Sequence, residues 1–328
     1  MAARPMRKAA ARTHAWSVNM ISVTGLSKRY GPILAVDEVT FTCEQGTVTG
    51  FLGPNGAGKT TTLRALTGLT RPDAGQATIA GHRFAGLPNP ARVIGTLLDA
   101  AALHAGRTGR ATLRIAATMT GMPSRRVDQV LAAVGLTGAA DRRVGTYSLG
   151  MRQRLGLAQA IIAEPSVLIL DEPATGLDPE GIAWIRGLLR DFADHGGTVL
   201  LSSHLLAEVQ ATADHLVVIN AGRIVAAAAL TDLLAAPGLI VRAADQEALR
   251  QLLAQHAVPF TPAPGGALHV DTSTGVSAAQ IAALAVTARL PLLELRPAQR
   301  AGLEDLFFTL TSPASRTGSE AQNLEVPR

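Results

Sequence analysis

The chain is poor in cysteine, aromatic residues and lysine, and it has no long uninterrupted apolar run. One cysteine, Cys43, in 328 residues excludes an internal disulfide framework and fits a reducing compartment. Aromatics make up 3% against 47% hydrophobic residues, so any core is aliphatic and rich in alanine. The most apolar stretch, residues 224–241, is broken by Asp232 and Pro237. No segment therefore reaches the ~18 uncharged apolar residues that a membrane span needs. The chain is expected to be soluble, with any membrane role peripheral. Its formal charge of +5 allows a nucleic-acid partner or an anionic membrane surface, but is too diffuse to choose between them.

Lysine occurs three times, as Lys8, Lys28 and Lys59, against twenty-seven arginines. Lys59 therefore runs against the drift of the composition, and its setting explains why. It stands in "FLGPNGAGKTTT", residues 51–62, where Gly53, Gly58, Lys59 and Thr60 match two glycines five apart followed by Lys and a hydroxyl residue. Glycines let the backbone curl so that the loop of residues 53–60 (Gly53, Pro54, Asn55, Gly56, Ala57, Gly58, Lys59, Thr60), with Thr61 behind, surrounds a phosphate with its N–H groups, Pro54 shaping the turn without donating. The Lys adds a compact charge, and the Thr60 hydroxyl can ligate Mg²⁺. A glycine-rich turn opening an ordinary helix is the alternative. The apolar strand-like run at residues 48–52 just before the loop supplies the context that the phosphate motif requires.

Short β-like runs alternate with helical patterns at residues 21–26, 36–41, 48–52, 93–98, 167–170, 198–201 and 215–219. That is the rhythm of an α/β domain on a largely parallel sheet. Residues 110–163 lack strands and read as a helical insertion. The rhythm restarts near residue 229, with strand-like runs at 239–242, 268–270 and 292–295 and helical ones at 246–256 and 278–287. The expected organisation is a disordered basic arm (1–19) and an α/β nucleotide domain (20–228) with a helical subdomain at about 100–163. A small α+β unit (229–312) and a loose tail (313–328) follow. Met20 offers an alternative start of translation. No internal repeat is visible, so one phosphate cradle serves one chain.

A second chemical site follows at "VLILDEP", residues 167–173. An apolar strand ends in Asp171 and Glu172, at the edge where α/β sheets bind ligands. Asp171 suits a Mg²⁺ contact, and Glu172 is placed to activate a water as general base. A polar strand end capping the next helix is the competing explanation.

Between the two sites lies "TYSLGMRQRLGLAQAII", residues 146–162, and here the sequence resembles the ATP-binding subunits of ABC transporters. It is most similar to the cassettes of bacitracin- and daunorubicin-type drug exporters. The family signature is Leu-Ser-Gly-Gly-Gln followed by a Gln-Arg pair. Ser148, Gly150, Gln153 and Arg154 match it, whereas Tyr147, Leu149 and Met151 depart in the manner of the exporter branch. The resemblance is strong over residues 21–222 and weak beyond. It implies a P-loop NTPase fold of the ABC type: a mostly parallel sheet plus helical subdomain, here followed by the small C-terminal α+β domain.

The resemblance also implies roles for further residues. Tyr30, in "LSKRYG", corresponds to the aromatic that stacks on adenine. Asp178, in "TGLDP", corresponds to the loop that crosses a dimer interface, although alone it reads as an ordinary turn before a helix. His204, in "LLSSHLLAEV", corresponds to the switch histidine that senses the γ-phosphate. Asp99, in "RVIGTLLDAAAL", stands where the family has the Q-loop Gln. Its carboxylate would be a stronger Mg²⁺ ligand with shorter reach. The acidic-apolar "LEDLFFTLT", residues 303–311, resembles the close of exporter ATPase subunits.

On this resemblance the working unit is a homodimer or paired cassette holding ATP and Mg²⁺. Each ATP lies between Lys59, Thr60, Asp171 and Glu172 of one chain and Ser148, Leu149, Gly150 and Met151 of the other. Separate integral-membrane permease subunits would take the stroke, with the chain on the cytoplasmic face of the membrane and no nucleic acid expected. A soluble cassette ATPase acting on nucleic acid or ribosomes is the alternative, but such proteins usually carry two cassettes in tandem. A regulatory subunit that holds ATP without turning it over is a third.

Overall fold

The computed structural model describes residues 19–272, 275–299 and 302–311. The expected basic arm, apart from its last residue, and the expected tail lie outside the described residues. The chain opens with β1 (Asn19–Tyr30), β2 (Ile33–Glu44) and β3 (Val48–Leu52), then α1 (Lys59–Leu66), β4 (Ala74–Ile79), α2 (Pro90–Val93) and β5 (Ile94–Leu97). Three helices follow, α3 (Gly109–Met119), α4 (Arg125–Ala133) and α5 (Leu149–Ile161). The α/β alternation then resumes with β6 (Val167–Asp171), α6 (Pro179–Asp194), β7 (Thr198–Ser202), α7 (Leu206–Thr212), β8 (His215–Asn220) and β9 (Arg223–Ala229).

Six strands form one sheet in the order β5-β6-β7-β3-β8-β9, parallel except for the β8–β9 pair. In β6, Val167 through Leu170 are each fully buried, because a central parallel strand is covered on both faces. Each such side chain contributes about 1.5–3 kcal/mol relative to exposure. A second, antiparallel sheet, β2-β1-β4, packs its apolar face, including Ile21, Val23, Phe41 and Ile79, against Phe51 and Ile169 of the first. Cys43 of β2 is buried in this layer, and burial pushes its thiol up to about 12.

The parallel sheet brings the ends of β3, β6 and β7 to one edge. Asp214, just before β8, accepts from the Val48 amide at the start of β3 and from Arg190 of α6, both at 2.8 Å. It thus ties two strands and a helix together at the opposite edge.

The helical insertion has an aliphatic core of its own, with Leu113, Val127, Val130, Leu131 and Leu155 all buried. Thr108 and Ser148 cap α3 and α5 by accepting from the amides three residues on. Helix α5 belongs to two cores at once. Leu155 and Ala158 face the helical insertion, while Leu157 and Ala160 face the parallel sheet. It lies on β5 at a point that leaves no room for a side chain: a Cβ on Gly95 would stand 2.2 Å from the Ala160 carbonyl oxygen.

The remaining elements are α8 (Leu230–Leu234), β10 (Ala235–Ala243), α9 (Gln246–Gln255), β11 (Phe260–Pro262), β12 (Leu268–Val270), α10 (Ala278–Thr287), β13 (Leu292–Gln299) and α11 (Leu303–Thr311). Strands β11-β12-β10-β13 form an antiparallel sheet. Val241, Leu268 and Val270 of the sheet, Leu249 and Leu253 of α9 and Ile281 of α10 make its core.

Sequence reading placed residues 229–312 in one unit, but α11 turns back to the cassette. Leu303 and Leu306 are buried with Val209 of α7 and Leu216 and Val218 of β8, and the Leu303 amide donates to Gln210 at 2.8 Å. The apolar stripe of α11 finds its partner there rather than on the small sheet. Leu230 of α8 joins the same core.

The Gly95 contact yields a stability test. Gly95→Ala forces either β5 or the last turn of α5 to move and is expected to cost about 1–3 kcal/mol, read as a lower midpoint of urea unfolding. A parental midpoint would mean that α5 does not rest on β5 at that point.

Candidate functional site

The loop after β3 supplies a cradle of amides that α1 completes. Gly58 precedes α1 at φ 106°, and a Cβ there would stand 2.5 Å from the Ala35 carbonyl oxygen, so both backbone angle and space require glycine. Lys59 is buried, with its ammonium folded back to donate to the Gly53 carbonyl at 2.5 Å and the Pro54 carbonyl at 3.2 Å. Burial lowers its pKa from the ordinary lysine value, and Glu172 and Asp171 oppose that shift. A phosphate entering the cradle offers this cation the charged partner that the loop carbonyls do not.

Two carboxylates face the cradle from the end of β6. Asp171 accepts from the Thr60 hydroxyl at 2.7 Å and, through its other oxygen, from the Ser202 hydroxyl at the end of β7. Thr60 and Asp171 are hard oxygen donors side by side. Among the described residues, no three or more His, Cys, Asp or Glu gather as a metal cage. A cation here would draw its remaining ligands from phosphate and water, which fits Mg²⁺.

Glu172 sits at φ 51°, a left-handed conformation uncommon outside glycine. Its amide donates to Ser202 through both the hydroxyl, at 3.0 Å, and the carbonyl, at 3.2 Å. Its carboxylate meets His204 twice at one oxygen, with Nδ1 at 2.6 Å and the backbone amide at 3.3 Å. The side chain is neither free in solvent nor sealed away, being 30% exposed.

A cleft of about 450 Å³ joins these parts. Asn55, Gly56, Gly58, Lys59, Thr60, Thr61, Asp99, Asp171 and Glu172, all expected from the sequence, line it. His204 joins through Glu172. The cleft is completed by Ala35, Leu98, Ala100, Gln153 and Thr175, which sequence reading did not assign to the pocket. Ser202 was missed too, although a hydroxyl closing a buried apolar strand is a visible signal.

Other expected residues stand apart from this cleft. Tyr30 ends β1 opposite Ile33 of β2, 46% exposed, with the Lys28 ammonium 5.5 Å from its ring centroid. Ser148 caps α5, and Leu149 packs over Gly176 of the loop between β6 and α6. Neither Ser148 nor Gly150 lines its own chain's cleft. Asp178 caps α6 by accepting from the Gly181 amide at 2.9 Å, with Pro179 in the first turn. Tyr147 is buried in the helical insertion and donates to the Ala139 carbonyl at 2.7 Å, so its place in the signature stretch is a packing one.

Comparison with known proteins agrees with this geometry. Residues 36–175 match the ABC transporter family model, and residues 237–304 match a domain of unknown function (DUF8746). The bacitracin transport ATP-binding protein BcrA of Bacillus licheniformis is 41% identical over 208 residues, 62% of this chain and 68% of the relative. The daunorubicin resistance ATP-binding protein DrrA3 of Streptomyces coeruleorubidus is 38% identical over 305 residues, 89% of this chain and 92% of the relative. Among solved structures, an ATP-binding subunit of an ABC transporter superposes with a TM-score of 0.61 at 30% identity, covering 65% of this chain and 91% of that one. With sequence similarity running nearly end to end over a phosphate cradle and its paired carboxylates, the chain belongs to the ABC transporter family as an ATP-binding subunit, an ATPase that powers transport.

Proposed function

We propose that the chain energises export of a drug-like or antibiotic compound through a separate membrane permease, working as a face-to-face homodimer on the cytoplasmic side of the membrane. Similarity to a daunorubicin resistance protein over 92% of that relative, the C-terminal region included, supports the cargo class. Among the described residues no helix is long and apolar enough to cross a membrane, which is in keeping with a permease on another chain. The observation that carries the dimer is the position of Ser148 and Gly150, at a helix N-terminus outside their own cleft, where a second chain's γ-phosphate can meet them.

In this reading the amides of the 53–60 loop and Lys59 hold the β- and γ-phosphates, and Tyr30 stacks on the adenine. Mg²⁺ held by Thr60 and Asp171, with Asp99 on the same cleft wall, would neutralise charge on the phosphate oxygens. Glu172 takes a proton from the attacking water as its oxygen bonds to the γ-phosphorus and the bond to the ADP oxygen breaks. His204 fixes the Glu172 carboxylate and lies at hand for the γ-phosphate. Asp178 caps its helix and faces the partner across the interface.

A groove of about 750 Å³ runs beside Asp99, lined by Leu69, Phe84, Leu97, Leu98, Leu103 and Met119. Leu69 is 69% and Met119 81% exposed, an apolar rim suited to a cytoplasmic loop of the permease. Since Leu98 and Asp99 line both groove and cleft, they are the route by which nucleotide state reaches the permease.

Three measurements test these assignments. Glu172→Gln is expected to lower steady-state phosphate release at saturating Mg-ATP at least a hundredfold, in line with loss of a general base. It should also trap a dimer in light scattering when ATP is present; parental turnover would refute the base assignment. Tyr30→Ala is expected to weaken ATP binding about fivefold or more without changing kcat, as loss of one stacked base would. Met119→Glu should prevent co-purification with a permease encoded beside this chain and leave ATP hydrolysis by the isolated subunit intact. Retained co-purification would remove the groove from the interface.

A further inference from the structure

Gln153 lies in the second turn of α5, 7% exposed, yet it lines the cleft with Lys59, Thr60, Asp171 and Glu172. Its Nε2 donates to the main-chain carbonyl of Glu172 at 3.2 Å. A carbonyl can only accept, so the amide orientation is settled and Oε1 is turned the other way. That oxygen is buried and has no hydrogen-bond partner among the described residues. Buried amide oxygens are seldom left so, and this one is enclosed away from the cleft, so the working contact of the side chain is the one its Nε2 makes.

The contact falls on the backbone of Glu172, whose φ of 51° needs support from outside the residue. Ser202 holds its amide and Gln153 its carbonyl, so the peptide groups on both sides of this Cα are fixed and the carboxylate is aimed. Ser202 belongs to the sheet, whereas Gln153 belongs to the helix whose N-terminus carries Ser148 and Gly150. Five residues of helix, roughly 7.5 Å along the axis, separate Ser148 from Gln153.

We propose that Gln153 is a positioning residue of the ATPase reaction: Nε2 fixes the main chain of Glu172 and so aims its carboxylate at the attacking water. A water held at the Glu172 carboxylate gives one proton to it as it attacks. The water oxygen bonds to phosphorus, the bond to the ADP oxygen breaks, and the transferred proton stays on Glu172. This rests on Glu172 being the base, and the test separates the two statements.

The experiment is steady-state phosphate release from the purified full chain with Mg-ATP, together with thermal unfolding. Gln153→Met keeps the volume and removes both polar atoms. Its kcat is expected to fall about tenfold or more, as for a displaced base and water, with KM for ATP within about twofold and the melting temperature within a few degrees of the parent. Gln153→Glu keeps the side-chain length and puts a carboxylate oxygen where the donor met the Glu172 carbonyl, so its kcat is expected to fall about tenfold or more as well, with KM for ATP within about twofold. Parental kcat in Gln153→Met overturns the proposal, as does a fall in kcat matched by a rise in KM and a lower melting temperature. If Gln153→Met does not fold, Gln153→Glu decides, and a parental kcat in it overturns the proposal. Glu172→Gln runs alongside. If it stays active, the base assignment fails and takes this inference with it; if it is inactive while Gln153→Met behaves as the parent, only the role of Gln153 fails.

Discussion

Asp171 is the pin of the nucleotide site. Strand β7 lies between β6 and β3 in the sheet, so the phosphate loop that follows β3 and the carboxylates that end β6 are not neighbours along the hydrogen-bonded ladder. One oxygen of Asp171 takes the Thr60 hydroxyl and the other the Ser202 hydroxyl, which spans that gap and fixes three strand ends relative to each other. A carboxylate is suited to this because it accepts on both oxygens without needing a proton of its own. With the pin in place, Ser202 is also positioned to hold the Glu172 amide, and Glu172 in turn meets His204. Phosphate loop, acid pair and histidine are successive links of one hydrogen-bonded chain.

The core that supports this chain of contacts is built from aliphatic residues of modest size. Close approach replaces aromatic bulk: Gly95 lets α5 settle on β5, and Gly58 lets the loop pass the Ala35 carbonyl. The result is a helix, α5, shared by the sheet core and the helical insertion, with Leu157 in one and Leu155 in the other. Helix α5 thereby couples the insertion to the sheet.

Much of this was legible in the sequence, for reasons that differ by element. Strands β3 and β12 and helix α10 end where periodicity placed them, because their apolar runs are bounded by turn residues or a capping serine. β1 and β2 run several residues past the expected ends, since their tips pair along a tight hairpin, Tyr30 with Ile33 and Arg29 with Leu34, and that pairing is not a property of either run alone. β4, β9 and β11 went unread: "AGQATI", "RIVAAAA" and "FTP" carry glycine, alanine or proline where a strand signal needs β-branched or aromatic residues. At the site, the loop and the acid pair were readable because each chemistry is local in sequence. The contact of Gln153 with the Glu172 carbonyl was not, because it exists only after α5 docks. The return of α11 to the cassette was hidden for the same reason, an apolar stripe being silent about which surface it will meet.

Cys43 gives the molecule a practical property. Its thiol is enclosed between the two sheets and burial pushes it up to about 12, so at neutral pH it stays protonated and out of reach. The native protein is therefore a silent background for sulfhydryl chemistry. A cysteine introduced at a surface position would be the sole site to take a fluorophore or spin probe, and distances across an assembled pair could be read from the wild-type scaffold without first removing anything from it.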